Sequence, residues 1–404
     1  MALTGFGAAA LKSETGRSPY AGRLLYITCM KYKFYLTALF AVLVFITAAQ
    51  QHYLITGTYT SGKSEGIYVY LFNSSDGTYK EVSHVKISNP SFVAVSPDEK
   101  FVYAVQEDAA KNGKGGEIAA FSFNKETGNL TFINEQSSGG DHPCYVAVDK
   151  TGRWVVTGNY SSGSLSVLPV RTDGSLGLAT DIVQHEGSGL NKERQAKPHV
   201  HCTFFSADNH FLFVPDLGID KVMIYAFDAT TGKLTTAKQA FAKSTDGAGP
   251  RHICFHPSDK YAYLVEELSG TVVVFDHQEG TLKSKQRISS MPVGDTSNAG
   301  SADIHVSPDG KFLYASNRAD ANTIAIFSIN QKDGTLALIA HQSTGGKTPR
   351  NFNLDPSGNF LLVANQNSDE IVIFKRNTKT GLLTDTKNRI RTGKPVCLKW
   401  IGVK

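Results

Sequence analysis

The chain has 404 residues, with 41 Lys and Arg against 36 Asp and Glu, and its formal net charge of +5 is spread along its length. No run of Lys or Arg with interleaved aromatics occurs, which excludes the usual nucleic-acid surface. Roughly 350 residues behind the N-terminal segment exceed what one ordinary core covers. No linker or compositional break divides them, which calls for an architecture that adds a core layer with each unit.

The first element in chain order is a leader. Met30-Lys-Tyr-Lys is a short positive stretch, Phe34 to Ala48 is almost wholly apolar, and Thr47-Ala48-Ala49 resembles a small-residue cleavage site. Together they read as a signal peptide over residues 30–50, with residues 1–29 an overcalled start. An apolar run of about fifteen residues falls short of the ~20 needed to span a bilayer. The expectation is therefore cleavage near Gln50, export to the periplasm or the medium, and no membrane association afterwards, with a retained anchor as the alternative.

Next come Tyr53-Leu-Ile-Thr-Gly-Thr-Tyr and Gly66-Ile-Tyr-Val-Tyr-Leu-Phe, two β-branched and aromatic runs. From Pro90 a longer pattern begins and recurs about every fifty residues, with copies from Pro143, Val200, Pro250, Ser301 and Pro349. A period of this size marks a propeller or another closed repeat. Within a copy, an apolar run such as Phe92 to Val95 is followed by a turn, Ser96-Pro97-Asp98, and a second run, Phe101 to Val105. A third run from Glu117, a hairpin signal at Thr127-Gly128 and a polar fourth run complete it. Four antiparallel strands make a propeller blade.

Tyr53 and Gly66 open runs that match only the second and third strands of a blade, and the missing first strand is Pro395-Val-Cys-Leu-Lys-Trp at the other end. The predicted fold is thus all-β, a seven-bladed β-propeller over residues 51–404, closed by a blade shared between N- and C-terminal strands. Such sharing removes an open sheet edge. Cys144, Cys202, Cys254 and Cys397 lie on or beside presumed first strands and read as packing thiols; Cys29 falls in the leader.

In a propeller the first strand of each blade starts at the face where the second ends, so side chains at these two places converge on one mouth. The residues opening the first strands are Ser91, Cys144, His201, Arg251, Ala302, Arg350 and Val396, and those ending the second strands are Tyr59, Glu107, Tyr160, Leu217, Glu267, Arg318 and Gln366. Arg251, Arg318 and Arg350 are therefore expected around one pocket with His201, Glu267 and Glu107. Solvated rim arginines are the bland alternative, but equivalent positions of a repeat should carry similar residues, and these differ in one direction. Guanidinium forks match carboxylate or phosphate, which predicts an anionic ligand.

The residue before each second-strand end, Gln106, Asn159, Asp216, Glu266, Asn317 or Asn365, is a repeated hydrogen-bonding side chain, read as a backbone cap. Glu266 is then structural and Glu267 functional. His199 and His201 share a strand face, but the aligned neighbours are mainly arginines, so no metal is expected. His142, His252 and His256 read as core or turn residues. Gly346-Lys347-Thr348 lacks the upstream glycine of a phosphate-binding loop, and there is no Gly-x-Ser-x-Gly elbow.

Pro198-His199-Val200-His201, Val214-Pro215-Asp216-Leu217-Gly218, Gly249-Pro250-Arg251-His252, Glu266-Glu267-Leu268-Ser269, Tyr314-Ala315-Ser316-Asn317-Arg318 and Thr348-Pro349-Arg350 resemble the motifs of the seven-bladed lactonase family. That family includes propeller-type 6-phosphogluconolactonases and the fungal carboxy-muconate cyclase. The resemblance covers residues 52 to 402 and implies active-site roles for His201, Arg251, Glu267 and Arg318. The expected function is hydrolysis of a sugar-acid lactone without a cofactor. In that reading Glu267 activates water, Arg251 stabilises the oxyanion and His201 protonates the ring oxygen, while Arg318, Arg350, Glu107 and Tyr160 bind a small anionic lactone. The alternatives are a muconate-type cyclase and a non-catalytic exported propeller that binds an acidic sugar. Export sets the chain apart from the cytoplasmic pathway of phosphorylated sugars, which leaves another acidic or sugar lactone open as substrate.

Overall fold

The computed structural model of the chain describes residues 51–109, 115–295 and 299–403. The leader assignments and Cys29 lie outside the described residues. Seven four-stranded antiparallel sheets follow one another along the chain, and the only helical element among the described residues is one 3₁₀ turn, Gln366–Ser368. Blades are numbered here in chain order: blade 1 (51–86 with 395–402), blade 2 (93–137), blade 3 (143–184), blade 4 (204–243), blade 5 (250–289), blade 6 (301–343) and blade 7 (349–391). The closing strand Pro395–Gly402 pairs antiparallel with Gln51–Thr58, as the unmatched strands at the two ends require. No helix among the described residues is long and apolar enough to cross a membrane.

Turn chemistry repeats with the strands. Ser96 Oγ accepts the backbone N–H of Phe101 at 2.9 Å, and Ser206 and Ser307 do the same for Phe211 and Phe312 at 2.9 and 3.0 Å. Asp149 and Asp355 replace the hydroxyl with a carboxylate and hold Trp154 and Phe360 at 2.9 and 2.7 Å. Each of these turns satisfies a donor that the hairpin leaves over, and each fixes an aromatic residue at the head of a second strand.

Those aromatics join the blades. A Cβ built on Gly128 meets Tyr53, on Gly174 Phe101, on Gly232 Trp154, on Gly280 Phe211, on Gly334 Tyr261, on Gly381 Phe312 and on Gly77 Phe360, all within 2.8 Å. Each glycine sits in the outer hairpin of one blade and each aromatic heads the second strand of the blade before it. The last pair, Gly77 with Phe360, links blade 1 to blade 7 and closes the ring. Positive φ (Gly232, +73°) is the second reason a side chain is excluded there.

The first strands carry a second repeated device. Pro143 pairs with Asn159 and Tyr145 with Gly158, which leaves Cys144 opposite nothing. Arg251, Arg350 and Val396 are skipped in the same way, and in blade 6 Ala302 and Asp303 together face Ser316. These are β-bulges, which leave one residue out of the ladder and re-aim it. In blade 4 the first strand shrinks to Phe204–Phe205, with Val200 bridging Asp216, so His201 is likewise outside a regular ladder. Cys144, Cys202, Cys254 and Cys397 are free and buried, as packing thiols should be.

Replacing Gly232 by Ala puts a Cβ 2.4 Å from Trp154 Cζ3 at φ +73°, whereas Gly294, at φ +81°, has nothing within 4 Å. Gly294→Ala is expected to cost about 1 kcal/mol of backbone strain and Gly232→Ala about 2–4 kcal/mol through added overpacking. Urea denaturation of the two variants measures the difference; equal losses would show that the glycine–aromatic contact does not hold the blades.

Candidate active site

The bulges aim their residues into the channel at one face. Ser91, Cys144, His201, Arg251, Arg350 and Val396, six of the strand openers, line one small cavity together with Phe92, His252 and Asn351. The second-strand ends stand around it in two groups. Glu267, 5 % exposed, accepts Arg251 Nε at 3.0 Å and Arg318 Nη2 at 2.7 Å on Oε2, and Arg194 Nη2 at 2.6 Å on Oε1. Glu107 accepts the hydroxyls of Tyr59, at 2.7 Å, and Ser91, and lies 4.0 Å from Arg350 Nη2. The Arg350 guanidinium also sits over the Tyr59 ring, 5.4 Å from its centroid.

Tyr160 flanks the cavity with its ring edge-on to His201, centroids 5.5 Å apart, and stacked on His199 at 4.4 Å. His199 Nδ1 faces the Tyr160 carbonyl at 2.8 Å, so the paired imidazoles of His199-Val200-His201 serve different neighbours. Among the described residues no group of three or more His, Cys, Asp or Glu is arranged to hold a metal ion. All seven residues singled out for the site are thus gathered at one mouth. Glu266 lies behind it, gripped by both Nη atoms of Arg287 at 3.0 and 2.6 Å.

The repeated caps reach between blades. Asn159, Asn317 and Asn365 donate Nδ2 to the carbonyls of Ser138, Ser290 and Thr344 at 3.0, 2.6 and 3.1 Å, in each case just past the outer strand of the preceding blade. Asp216 instead accepts the backbone N–H groups of His199 and Gly218 at 2.7 and 2.9 Å.

Electrostatics distinguish the groups. Burial pushes the Glu267 carboxyl up, but Arg318, Arg251 and Arg194 outweigh it and hold the group well below the usual carboxylate range. Burial, then the charges of Arg251, His252 and Arg350, push His201 well below its ordinary value, so it is neutral at pH 7. Arg251, 1 % exposed, is lowered to about 10 by burial and by Arg318 and Arg350, and stays charged. With His201 neutral, the four guanidiniums of Arg194, Arg251, Arg318 and Arg350 outnumber the carboxylates of Glu267, Glu107 and, beside Arg251, Asp303.

Two features escape a reading by repeats. Arg194 belongs to the stretch between Gln184 and Val200, which has no counterpart in the other copies. His252, read from sequence as a core or turn residue, is buried yet lines the cavity, its ring 5.3 Å from that of His201. Its Nε2 faces Arg251 Nη1 at 3.3 Å and its Nδ1 faces Asp303 Oδ1 at 2.8 Å. Asp303 Oδ2 takes Asn351 Nδ2 and the backbone N–H of Phe352. One carboxylate therefore ties the residues that follow Arg251 and Arg350. Below this level Phe92 stacks on Tyr145 at 4.1 Å, with His252 edge-on to both, and fills the channel.

Burial and the nearby Arg251 charge lower His252 from 6.5 to about 4, against the opposing pull of Asp303. In that window the unfolded chain binds a proton that the folded one refuses. The His252 contribution is thus complete above pH 6.5 and is lost as pH falls toward 4, on the order of 3 kcal/mol. Urea midpoints measured across this range should fall with pH, less steeply in His252→Gln; identical slopes would remove His252 from the account.

The chain matches the family model of the seven-bladed β-propeller lactonases over residues 53–400. It is 38% identical over 349 residues to a 6-phosphogluconolactonase of Bacillus subtilis, covering 85% of this chain and 97% of that protein. A 6-phosphogluconolactonase of Formosa agariphila is 41% identical over 334 residues, 82% of this chain and 94% of the relative. Among solved structures, the periplasmic gluconolactonase of Pseudomonas aeruginosa superposes with a TM-score of 0.84 at 36% identity, covering 88% of this chain and 100% of the other. The chain belongs to the seven-bladed β-propeller lactonase family.

Proposed function

We propose that this chain is an exported lactonase that hydrolyses an anionic sugar-acid lactone, 6-phosphogluconolactonase-like, at the arginine-rich channel mouth. The observation that carries the reading is a buried site with a net positive charge around a neutral imidazole, His201. The names of the relatives, lactonases of gluconate-type lactones, support the substrate class. Export rests on the signal-like leader, and the periplasmic Pseudomonas relative is in keeping with it.

In this reading Arg318 and Arg350 hold the anionic substituent, with Glu107 and Tyr160 shaping the pocket beside them. Arg251 faces the ring carbonyl and stabilises the oxyanion as water attacks, a contribution of roughly 3–4 kcal/mol for one well-placed donor. Glu267, held ionised by its arginines, orients the water and fixes the Arg251 fork. A carboxylate so strongly paired is a poor carrier of the proton. His201 enters neutral, accepts the proton that water releases, and returns it to the ring oxygen as the ester C–O bond breaks. Burial and then the nearby arginines depress His201, and the negative charge of a bound substrate offsets the second of these and raises its basicity.

Protein purified from residues 51–404 should open δ-gluconolactone or its 6-phosphate faster than buffer does. Glu267→Gln and Arg251→Ala should each lower kcat by about 10²- to 10³-fold, with folding checked by circular dichroism. Unchanged rates in both variants would sink the assignment. Cleavage of the leader predicts an exported form whose N-terminus, read by mass spectrometry, lies near Gln50; a mature protein that retains residues 30–50 would refute cleavage, and one found only inside the cell would refute export.

A further inference from the structure

We propose that Arg194 is a specificity-determining arm: it holds Glu267 in the free protein and moves to the anionic substituent of the lactone on binding. The proposal rests on the lactonase reading above. Its starting point is the break in the repeat, because the outer strand of blade 3 stops at Gln184 after four residues and the chain rejoins the ladder only at Val200.

The backbone beside Arg194 is anchored. Gln195 is fully buried and donates Nε2 to the Leu217 carbonyl and to Asp220 Oδ1, both at 2.8 Å. Asn191 Oδ1 accepts the backbone N–H of Arg194 at 3.1 Å. The Arg194 side chain is nonetheless 38% exposed. A fixed base with a solvated arm is what reaching requires, since little ordering is needed on either side of the move.

The three partners of Glu267 are not equivalent. Arg251 and Arg318 project from blades 5 and 6, are 1% and 14% exposed, and both bind Oε2. Arg194 alone of the three comes from outside the blades, and it binds Oε1. Arg251 and Arg318 share Oε2 from buried positions, whereas Arg194 is solvated and alone on Oε1, so its departure still leaves the buried carboxylate two guanidinium partners and opens Oε1 to water. Arg194 is therefore the one that can leave.

An arriving carboxylate or phosphate competes with Glu267 for this guanidinium and offers two oxygens to its fork. Tyr160 OH, 3.4 Å from Arg194 Nη2, marks the side of the mouth from which the arm is drawn. When Arg194 leaves, Oε1 becomes an acceptor for the attacking water while Arg251 and Arg318 keep Oε2 in place. A neutral lactone leaves Arg194 on Oε1. Arg194 then adds its fork to the grip of Arg318 and Arg350, and part of the discrimination between anionic and neutral lactones lies in a side chain that the repeat does not supply.

The test compares kcat/KM for δ-gluconolactone and its 6-phosphate in the wild type, Arg194→Met and Arg194→Lys. The preference for the 6-phosphate should fall about tenfold in Arg194→Met, the loss of one charge-assisted contact, while kcat on δ-gluconolactone rises. Arg194→Lys should recover part of the preference. A preference within threefold of wild type in Arg194→Met, or an equal loss on both lactones, overturns the proposal; if Arg194→Met does not fold, Arg194→Gln takes its place under the same threshold. A wild type that opens neither of the two lactones would instead remove the lactonase reading, and this proposal with it.

Discussion

Everything at the channel mouth depends on a contact far from it, the packing of an outer-hairpin glycine of each blade on the aromatic residue that heads the second strand of its neighbour. Because the same contact recurs around the ring and closes through Gly77 and Phe360, it sets one spacing between blades. That spacing decides how near the first strands come at the axis. Burial of the aromatics supplies a large apolar area at each joint, and the missing Cβ lets hairpin and ring meet closely. The mouth is thus assembled by contacts at the outer hairpins, not by the residues that line it.

The bulges convert this frame into a variable site. A residue left out of the ladder makes no pairing demand on its blade, so Cys144, Arg251, Arg350 and Val396 differ in chemistry at one geometric position. Burying Arg251 at 1% exposure would be costly alone. Its donors are taken by Glu267, His252 and the Ala302 carbonyl, and Asp303 secures the strands that carry it and Arg350. Fold and site are separable for this reason: the ladder hydrogen bonds hold the blade whatever the bulged residue is.

Blade number, strand order and ring closure were legible because internal repeats could be laid on one another, and the placement of Tyr53 and Pro395 on a shared blade followed from what each end lacked. The same alignment set Glu267 apart from Glu266, which pairs bidentately with Arg287 instead of capping backbone as its place in the repeat suggested. Arg194 was out of reach of that method, since a stretch with no counterpart has nothing to be aligned with. His252 was missed differently. Strict alternation along a strand turns the residue after an inward-facing one away from the axis, but the bulge at Arg251 breaks that alternation and lets both residues line the cavity. The glycine of Thr231-Gly232 was readable as a hairpin signal, while its contact with Trp154 belongs to the ring and not to the hairpin.

The aromatic layer of Phe92, Tyr145 and His252 fills the channel beneath the cavity. Whatever is made at the mouth must therefore depart by the way its precursor came. Opening a lactone creates a carboxylate, so the product carries one more negative charge than the substrate and meets the same surplus of guanidiniums. Such a pocket grips what it makes more firmly than what it takes in, and salt, by screening that charge, eases the departure.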